Sequence, residues 1–451
     1  MVHQFKNNGY DIVLDVNSGA IHVVDDVTYD VIAMYEEHTK EEILAALSDK
    51  YSETEIREAM DEVEQLRENE ELFTEDVYEN HIIDFKKRPT VVKALCLHIA
   101  HDCNLACKYC FAEEGEYHGR RALMSYETGK QALDFLIANS GNRRNLEVDF
   151  FGGEPLLNFD VVKQLVAYGR EQEKLHDKHF RFTLTTNGVL LNDDIMEFAN
   201  KEMDNVVLSI DGRKEVHDHM RPFRKGAGSY DLIVPKFQKL ADSRNQERYY
   251  VRGTFTHYNT DFSKDVLHLA DLGFKQISVE PVVAQPTDDY ALTEEDLPVL
   301  FEEYDKLAAE MVRRNREGNA FNFFQFMIDL DGGPCVYKRL SGCGSGTEDL
   351  AVTPWGDLYP CHQFVGNEDF IMGNVWDGIK RNDIQDEFKC CNVYAKEKCR
   401  NCFARFYCSG GCAANSYNFH GSITDAYDLG CELQKKRIEC AIMIKAAEAE
   451  N

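Results

Sequence analysis

The chain has 451 residues, 43% hydrophobic and 29% charged, which suits a folded protein of two or three domains. A formal net charge of −29 with no basic run speaks against nucleic acid as a partner. No apolar stretch reaches about eighteen residues and no signal-like opening occurs, so the expectation is a cytoplasmic chain with no membrane span. Fifteen cysteines in that setting point to metal rather than disulfides, and eleven of them follow residue 330.

In chain order, YDIVLDV (10–16) and AIHVVDD (20–26) alternate like two strands about the turn Asn17-Ser18-Gly19. Thr28 to Tyr35, Lys40 to Lys50 and Glu53 to Glu68 have helical apolar spacing, each opened by a cap or an acidic first turn. Residues 1–80 therefore read as a small winged-helix-like unit. Its acidic density from Glu53 to Asp76 disfavours DNA, and an exposed strand edge that takes a peptide by strand addition is the alternative.

Over residues 91–300, six strand-like runs alternate with helical stretches: ALCLHIA, LEVDFFG, FRFTLTT, NVVLSID, YYVRGTFT and KQISVEPV. The fold class is α/β, either a partial (β/α)6 barrel with its function at the C-terminal strand ends or a doubly wound open sheet. Residues 301–334 continue a connecting helix centred on Pro298 to Asn315, and 335–451 form a cysteine-rich module ending in a helix from Leu429.

The chemistry is concentrated in three motifs. Cys103, Cys107 and Cys110 form C-x3-C-x2-C on a loop after the first barrel strand, with Tyr109 between the last two. Three thiolates fall one short of a closed tetrahedral site or an ordinary four-iron cluster, so one iron stays open to a small molecule. Gly152, Gly153 and Glu154 end the second strand, where the glycines permit close backbone approach and the carbonyls with the carboxylate suit an amine. In the tail, Cys343 and Cys361 flank Gly356, and Cys399-x2-Cys402-x5-Cys408-x3-Cys412 precedes Cys431. A zinc ribbon is the competing reading of those pairs.

The cluster loop and the Gly-Gly-Glu-Pro motif resemble those of radical S-adenosylmethionine (SAM) enzymes, and the tail resembles the SPASM domain of radical SAM peptide-modifying enzymes. Taken together, the chain resembles sactisynthases, in particular maturases of the six-cysteine SCIFF peptides, with an N-terminal PqqD-like peptide-recognition domain. The resemblance implies SAM on the open iron, contacted by Tyr109, Gly152, Gly153 and Glu154. Ser209 and Arg252 would meet the ribose hydroxyls and the methionine carboxylate.

It further implies three 4Fe-4S clusters. One auxiliary cluster would use Cys343, Cys361 and Cys412, with Cys335 as a candidate fourth ligand. The other would use Cys399, Cys402, Cys408 and Cys431. Cys96, Cys390, Cys391 and Cys440 would be structural. The implied partners are a ribosomal precursor peptide, held by its leader on the N-terminal unit, and an external electron donor such as flavodoxin or ferredoxin. The implied reaction joins a cysteine sulfur to an alpha carbon. Formylglycine formation, a carbon-carbon crosslink and a zinc-ribbon scaffold are the rivals. No catalytic side chain is assigned.

Overall fold

Helix caps stand where short polar residues precede acidic ones. Thr39 with Glu42 and Ser52 with Glu55 each close a capping box, which satisfies backbone donors the helix start leaves free. The computed structural model describes residues 1–79, 85–330 and 336–449. The N-terminal unit consists of β1 (Val2–Asn7), β2 (Tyr10–Asp15), β3 (Ile21–Val23), α1 (Asp26–Met34), α2 (Lys40–Leu47) and α3 (Glu53–Glu68). The barrel region runs β4 (Ala94–His101), β5 (Ala122–Leu123), α4 (Tyr126–Asn139), β6 (Asn145–Gly152), α5 (Phe159–His176), β7 (His179–Thr186), α6 (Asp193–Glu202) and β8 (Asn205–Ser209). It continues with α7 (Lys214–Met220), α8 (Tyr230–Ser243), β9 (Tyr249–Phe255), α9 (Ser263–Asp271), β10 (Gln276–Pro281), α10 (Leu297–Arg316) and β11 (Asn322–Phe323). The tail comprises α11 (Val336–Ser341), β12 (Asp349–Val352), β13 (Asp357–Tyr359), β14 (Gly373–Asn374), β15 (Gly378–Ile379), α12 (Asn382–Cys390), α13 (Glu397–Arg400), α14 (Arg405–Cys408), α15 (Ala413–His420) and α16 (Asp428–Ala449).

The first three strands form an antiparallel sheet in the order β1-β2-β3. Strand alternation gives β2 two cores to serve. Val13 packs with Val31, Ile32, Ile43, Ile56 and Met60 in a core private to the unit. Ile12 and Leu14 face the other way and join the main core. β1 is an addition to the sequence reading. Its pattern VHQFKN is too polar to announce a strand, and tertiary packing sustains it. His3 stacks on Phe403 at 3.5 Å between ring centroids, and Phe5 is buried.

Strands β4 and β6 to β10 lie side by side in chain order and are parallel throughout. A doubly wound sheet reverses its order at a switch point, and this one does not: the fold is α/β with a mostly parallel central sheet whose order is that of a barrel wall. One strand face is apolar and lies under the helices: Leu95, Leu97 and Ile99 on β4, Phe180, Phe182 and Leu184 on β7. The other face is mixed and lines the lumen, with Cys96 opposite Asp149 and Asp149 opposite Thr183 in register. The sheet also extends past six strands. β11 adds to β10, and β12 of the tail pairs in parallel with β4 before β13 to β15 turn antiparallel. The cysteine-rich tail thus shares a sheet with the barrel.

Candidate functional site

The cysteine loop leaves β4 at the C-terminal end of the sheet and is held from three sides. Ala106 N and Lys108 N donate to Pro222 O and Met220 O, both at 2.9 Å. Arg224 donates to Cys103 O at 2.7 Å. From the end of β6, Gly153 N donates to Ala100 O at 2.8 Å and Glu154 N to Asp102 O at 2.9 Å. That approach needs glycine: a Cβ on Gly152 would stand 2.4 Å from Ala100 O, and one on Gly153 2.2 Å from Asp102 O. The two motifs read separately in the sequence are one hydrogen-bonded structure.

Cys103, Cys107 and Cys110 carry free thiols and influence one another electrostatically. Burial pushes Cys103 and Cys107 up to about 12, and Arg221 opposes that at Cys107. The Asn187 amide reaches Cys103 Sγ at 3.6 Å. Among the described residues, no three His, Cys, Asp or Glu side chains converge on a single-ion position. A one-metal tetrahedron holds sulfurs about 3.8 Å apart, whereas a cubane spreads its thiolates over separate irons. Three soft donors on one loop, with an amide and a guanidinium beside them, fit an iron-sulfur cluster.

Tyr109 is turned inward. Its hydroxyl donates to both oxygens of Asp211 at 2.7 Å, and Arg221 lies 5.3 Å from its ring centre. Asp211 is fully buried and also accepts from Arg221 Nε at 2.9 Å and Thr254 N at 3.0 Å. This cluster ties the cysteine loop to β9 and to the turn after α7. Glu154 is buried too. It accepts from Leu156 N at 3.0 Å, Thr186 Oγ1 at 2.8 Å and Asn187 N at 2.8 Å, and burial outweighs these donors and pushes it up to about 7. Its carboxyl group thus joins the ends of β6 and β7.

Ser209 and Arg252 are register partners on β8 and β9. Arg252 extends into the lumen, where its charge is felt by Asp149, Glu280 and His362. Burial pushes Asp149 up to about 7, against its 3.3 Å bond from Thr185 and the pull of Arg252. At Glu280 the balance reverses: burial raises it, but Arg437, Gln325 and Arg252 together hold it below the usual carboxylate range. The sequence reading missed Arg221, Asp149 and His362. Arg221 caps α7 outside any motif, and His362 follows the motif cysteine Cys361 without a signal of its own. Asp149 was findable, because LEVDFFG places it on the inward parity of its strand.

In the tail the seven motif cysteines fall into two electrostatic groups. Cys343, Cys361 and Cys412 influence one another, and Cys431 feels Cys399, Cys402 and Cys408. Burial pushes Cys361 and Cys431 up to about 12 and Cys399 to about 11. Backbone N–H groups of Ser345, Gln363 and Gly410 point at Cys343, Cys361 and Cys408. Such N–H···S bonds stabilise thiolates and cluster sulfurs. Of the other thiols, Cys440 is buried against Asp305 and Asn7, Cys391 donates to Ile423 O at 3.2 Å, Cys390 is exposed and Cys96 lies near Asp149 and Cys361. Cys335 lies outside the described residues.

With this geometry in view, residues 97–282 match the model of the Radical SAM superfamily. That segment holds the barrel strands and the loop of Cys103, Cys107 and Cys110, and the domain it matches implies a 4Fe-4S cluster and SAM. The chain is similar to the radical SAM cyclopropyl synthase TigE of Paramaledivibacter caminithermalis, 24% identical over 76% of this chain and 72% of the relative. It is also similar to the cysteine-type anaerobic sulfatase-maturating enzyme of Clostridium novyi, 23% identical over 75% of this chain and 92% of that one. In fold it resembles Streptococcus suis SuiB bound to its precursor peptide SuiA, with a TM-score of 0.50, 16% identity, and 95% of this chain and 98% of that chain covered. Among the described residues no helix is long and apolar enough to cross a membrane.

Proposed function

We propose that the enzyme matures a ribosomally made, cysteine-rich peptide by joining cysteine sulfur to an alpha carbon. The reading rests on one observation above all: a three-thiol group, Cys343, Cys361 and Cys412, lies beside the barrel lumen through Cys361 and its neighbour His362. If Cys335 is not the fourth ligand, three thiolates leave a coordination position that a substrate thiolate can take. Cys399, Cys402, Cys408 and Cys431 supply a full set for a second auxiliary cluster, and Cys103, Cys107 and Cys110 hold the cluster that meets SAM. With a reduced cluster and SAM bound, such a site would supply radical chemistry able to remove hydrogen from a peptide carbon.

The chain's own residues bind and orient. Gly152 and Gly153 offer carbonyls to the methionine amine, and Arg252 pairs with its carboxylate beside Ser209. Asp211 and Arg221 hold Tyr109 and the cysteine loop in place. The N-terminal unit, residues 1–80, acts as the leader-binding domain, with β3 as the receiving edge and α3 as the facing wall. Tethering there raises the effective concentration of the core peptide at the lumen. An external donor such as flavodoxin or ferredoxin provides electrons.

Incubation of anaerobically loaded enzyme with SAM, a reductant and its precursor peptide tests this. Each thioether removes two hydrogens and retains sulfur, and fragmentation places the bridge between cysteine and an alpha carbon. The similarity to a sulfatase-maturating enzyme favours a second reading, oxidation of peptide cysteine to formylglycine. That product loses sulfur, so the same spectrum separates the two.

A further inference from the structure

Lys396 is 2% exposed, a rare burial for a lysine. Its ammonium donates to Gly410 O at 2.9 Å and to Ser416 Oγ at 3.5 Å, both neutral groups. Among the described residues it forms no ion pair with a carboxylate. A cation taken from water without a counter-charge is costly and is retained only where something negative compensates it. What surrounds this one is sulfur. Cys399 N donates to Lys396 O at 3.0 Å, and Gly410, which holds the ammonium, follows Cys408 by two residues.

The position of its main partner adds the second half. Gly410 lies midway along Cys408-Ser409-Gly410-Gly411-Cys412, the turn that carries one cysteine of each tail group. Ser409, Gly410 and Gly411 all have positive φ, at 60°, 88° and 73°, so the turn is tightly coiled and presents the Gly410 carbonyl to the lysine. A single fixed positive charge thus sits at the junction of the two thiol groups.

We propose that Lys396 is the buried counter-charge of the auxiliary clusters. Bound to the turn between Cys408 and Cys412, it raises the reduction potential of the cluster on Cys399, Cys402, Cys408 and Cys431. Adding one electron to a cluster adds one negative charge, which a neighbouring cation stabilises in a low-dielectric interior. Lys396 is therefore a positioning and tuning residue that makes the tail an electron acceptor. The proposal rests on reading the seven tail cysteines as cluster ligands.

The test uses full-length, anaerobically loaded protein as Lys396→Met, Lys396→Arg and Lys398→Met, the last being an exposed lysine paired with Asp428. Iron and sulfide are assayed, and midpoint potentials are read by redox titration followed by electron paramagnetic resonance. Lys396→Met is expected to move an auxiliary midpoint to more negative potential. Lys396→Arg should stay nearer the native value, and Lys398→Met should leave it unchanged. Loss of auxiliary iron in Lys396→Met but not in Lys396→Arg also supports a charge role. A shift in Lys396→Met no larger than in Lys398→Met overturns the proposal, as does equal iron loss in both Lys396 variants, which marks a packing role. Native protein with about four irons per chain in place of about twelve overturns the underlying cluster reading of the tail.

Discussion

Gly153 has no room for a side chain, because its ideal Cβ would lie 2.2 Å from the Asp102 carbonyl oxygen. Gly153→Ala must therefore push β6 away from the cysteine loop. The expected cost is about 1–3 kcal/mol of stability, with loss of iron from the Cys103, Cys107 and Cys110 site. Denaturant midpoints and iron assays on the loaded variant check this, and an unchanged midpoint contradicts the packing argument. Asp149 makes a pH prediction. Its ordinary value is 3.8 and burial raises it to about 7. The folded protein thus keeps a proton that the unfolded chain releases, and the contribution of Asp149 to stability falls as pH rises across that window. Asp149→Asn removes that contribution, so the urea midpoint of the variant relative to native protein should rise as pH climbs through the window, whatever Glu154, Asp349 and the buried histidines contribute to both. At this scale the sequence was informative about residue type and silent about roles already taken. Tyr109 and Glu154 were both singled out by their motifs. That Tyr109 would spend its hydroxyl on Asp211, and Glu154 its carboxyl on Thr186 and Asn187, depends on strands far apart in sequence.

Among the elements, β3 has a directional edge. Val24 N donates to Asp11 O on β2 at 3.0 Å, so by strand alternation the backbone groups of Val23 point away from the sheet. Val23 is also 47% exposed. Val23→Pro removes an outward donor without breaking a bond to β2. If β3 receives the leader, precursor affinity should fall about fivefold, the worth of one backbone hydrogen bond near 1 kcal/mol. SAM cleavage without peptide should be unaffected. Titration calorimetry with the precursor and its leader-deleted form measures the first, and equal affinity in native and variant protein counts against the edge. Most elements were legible because their periodicity is strong: the six apolar barrel strands and the capped N-terminal helices stand within a few residues of their sequence positions. β1 and β12 were not. The first is too polar and the second too short, and each exists through the partner it pairs with.

For the whole molecule, the N-terminal unit is bound to the tail by a buried ion pair. Arg405, 5% exposed, reaches Asp76 at 2.9 Å and Asn17 at 2.7 Å, while Tyr394 donates to Asp76 at 3.0 Å. Asp76→Ala leaves the guanidinium buried and unpaired and should cost about 3–5 kcal/mol, read as a lower denaturation midpoint. A loss below about 1 kcal/mol, the size of a surface pair, contradicts this view of the junction. His3 with Glu439 at 2.9 Å and Asn7 with Asp305 at 2.7 Å add further ties to α16 and α10. Sequence reading separated the chain into blocks because motifs are local. It did not reveal that the tail extends the barrel sheet or that the N-terminal sheet turns one face into the main core, since both are long-range pairings.

The account depends on the Cys103, Cys107 and Cys110 loop holding the cluster that reduces SAM, with the tail cysteines holding the others. The most direct measurement is iron content together with 5′-deoxyadenosine formation in the anaerobically loaded triple variant Cys103→Ala, Cys107→Ala, Cys110→Ala. The account predicts retention of about two-thirds of the native iron and no 5′-deoxyadenosine. Continued formation of 5′-deoxyadenosine at the native rate would contradict it.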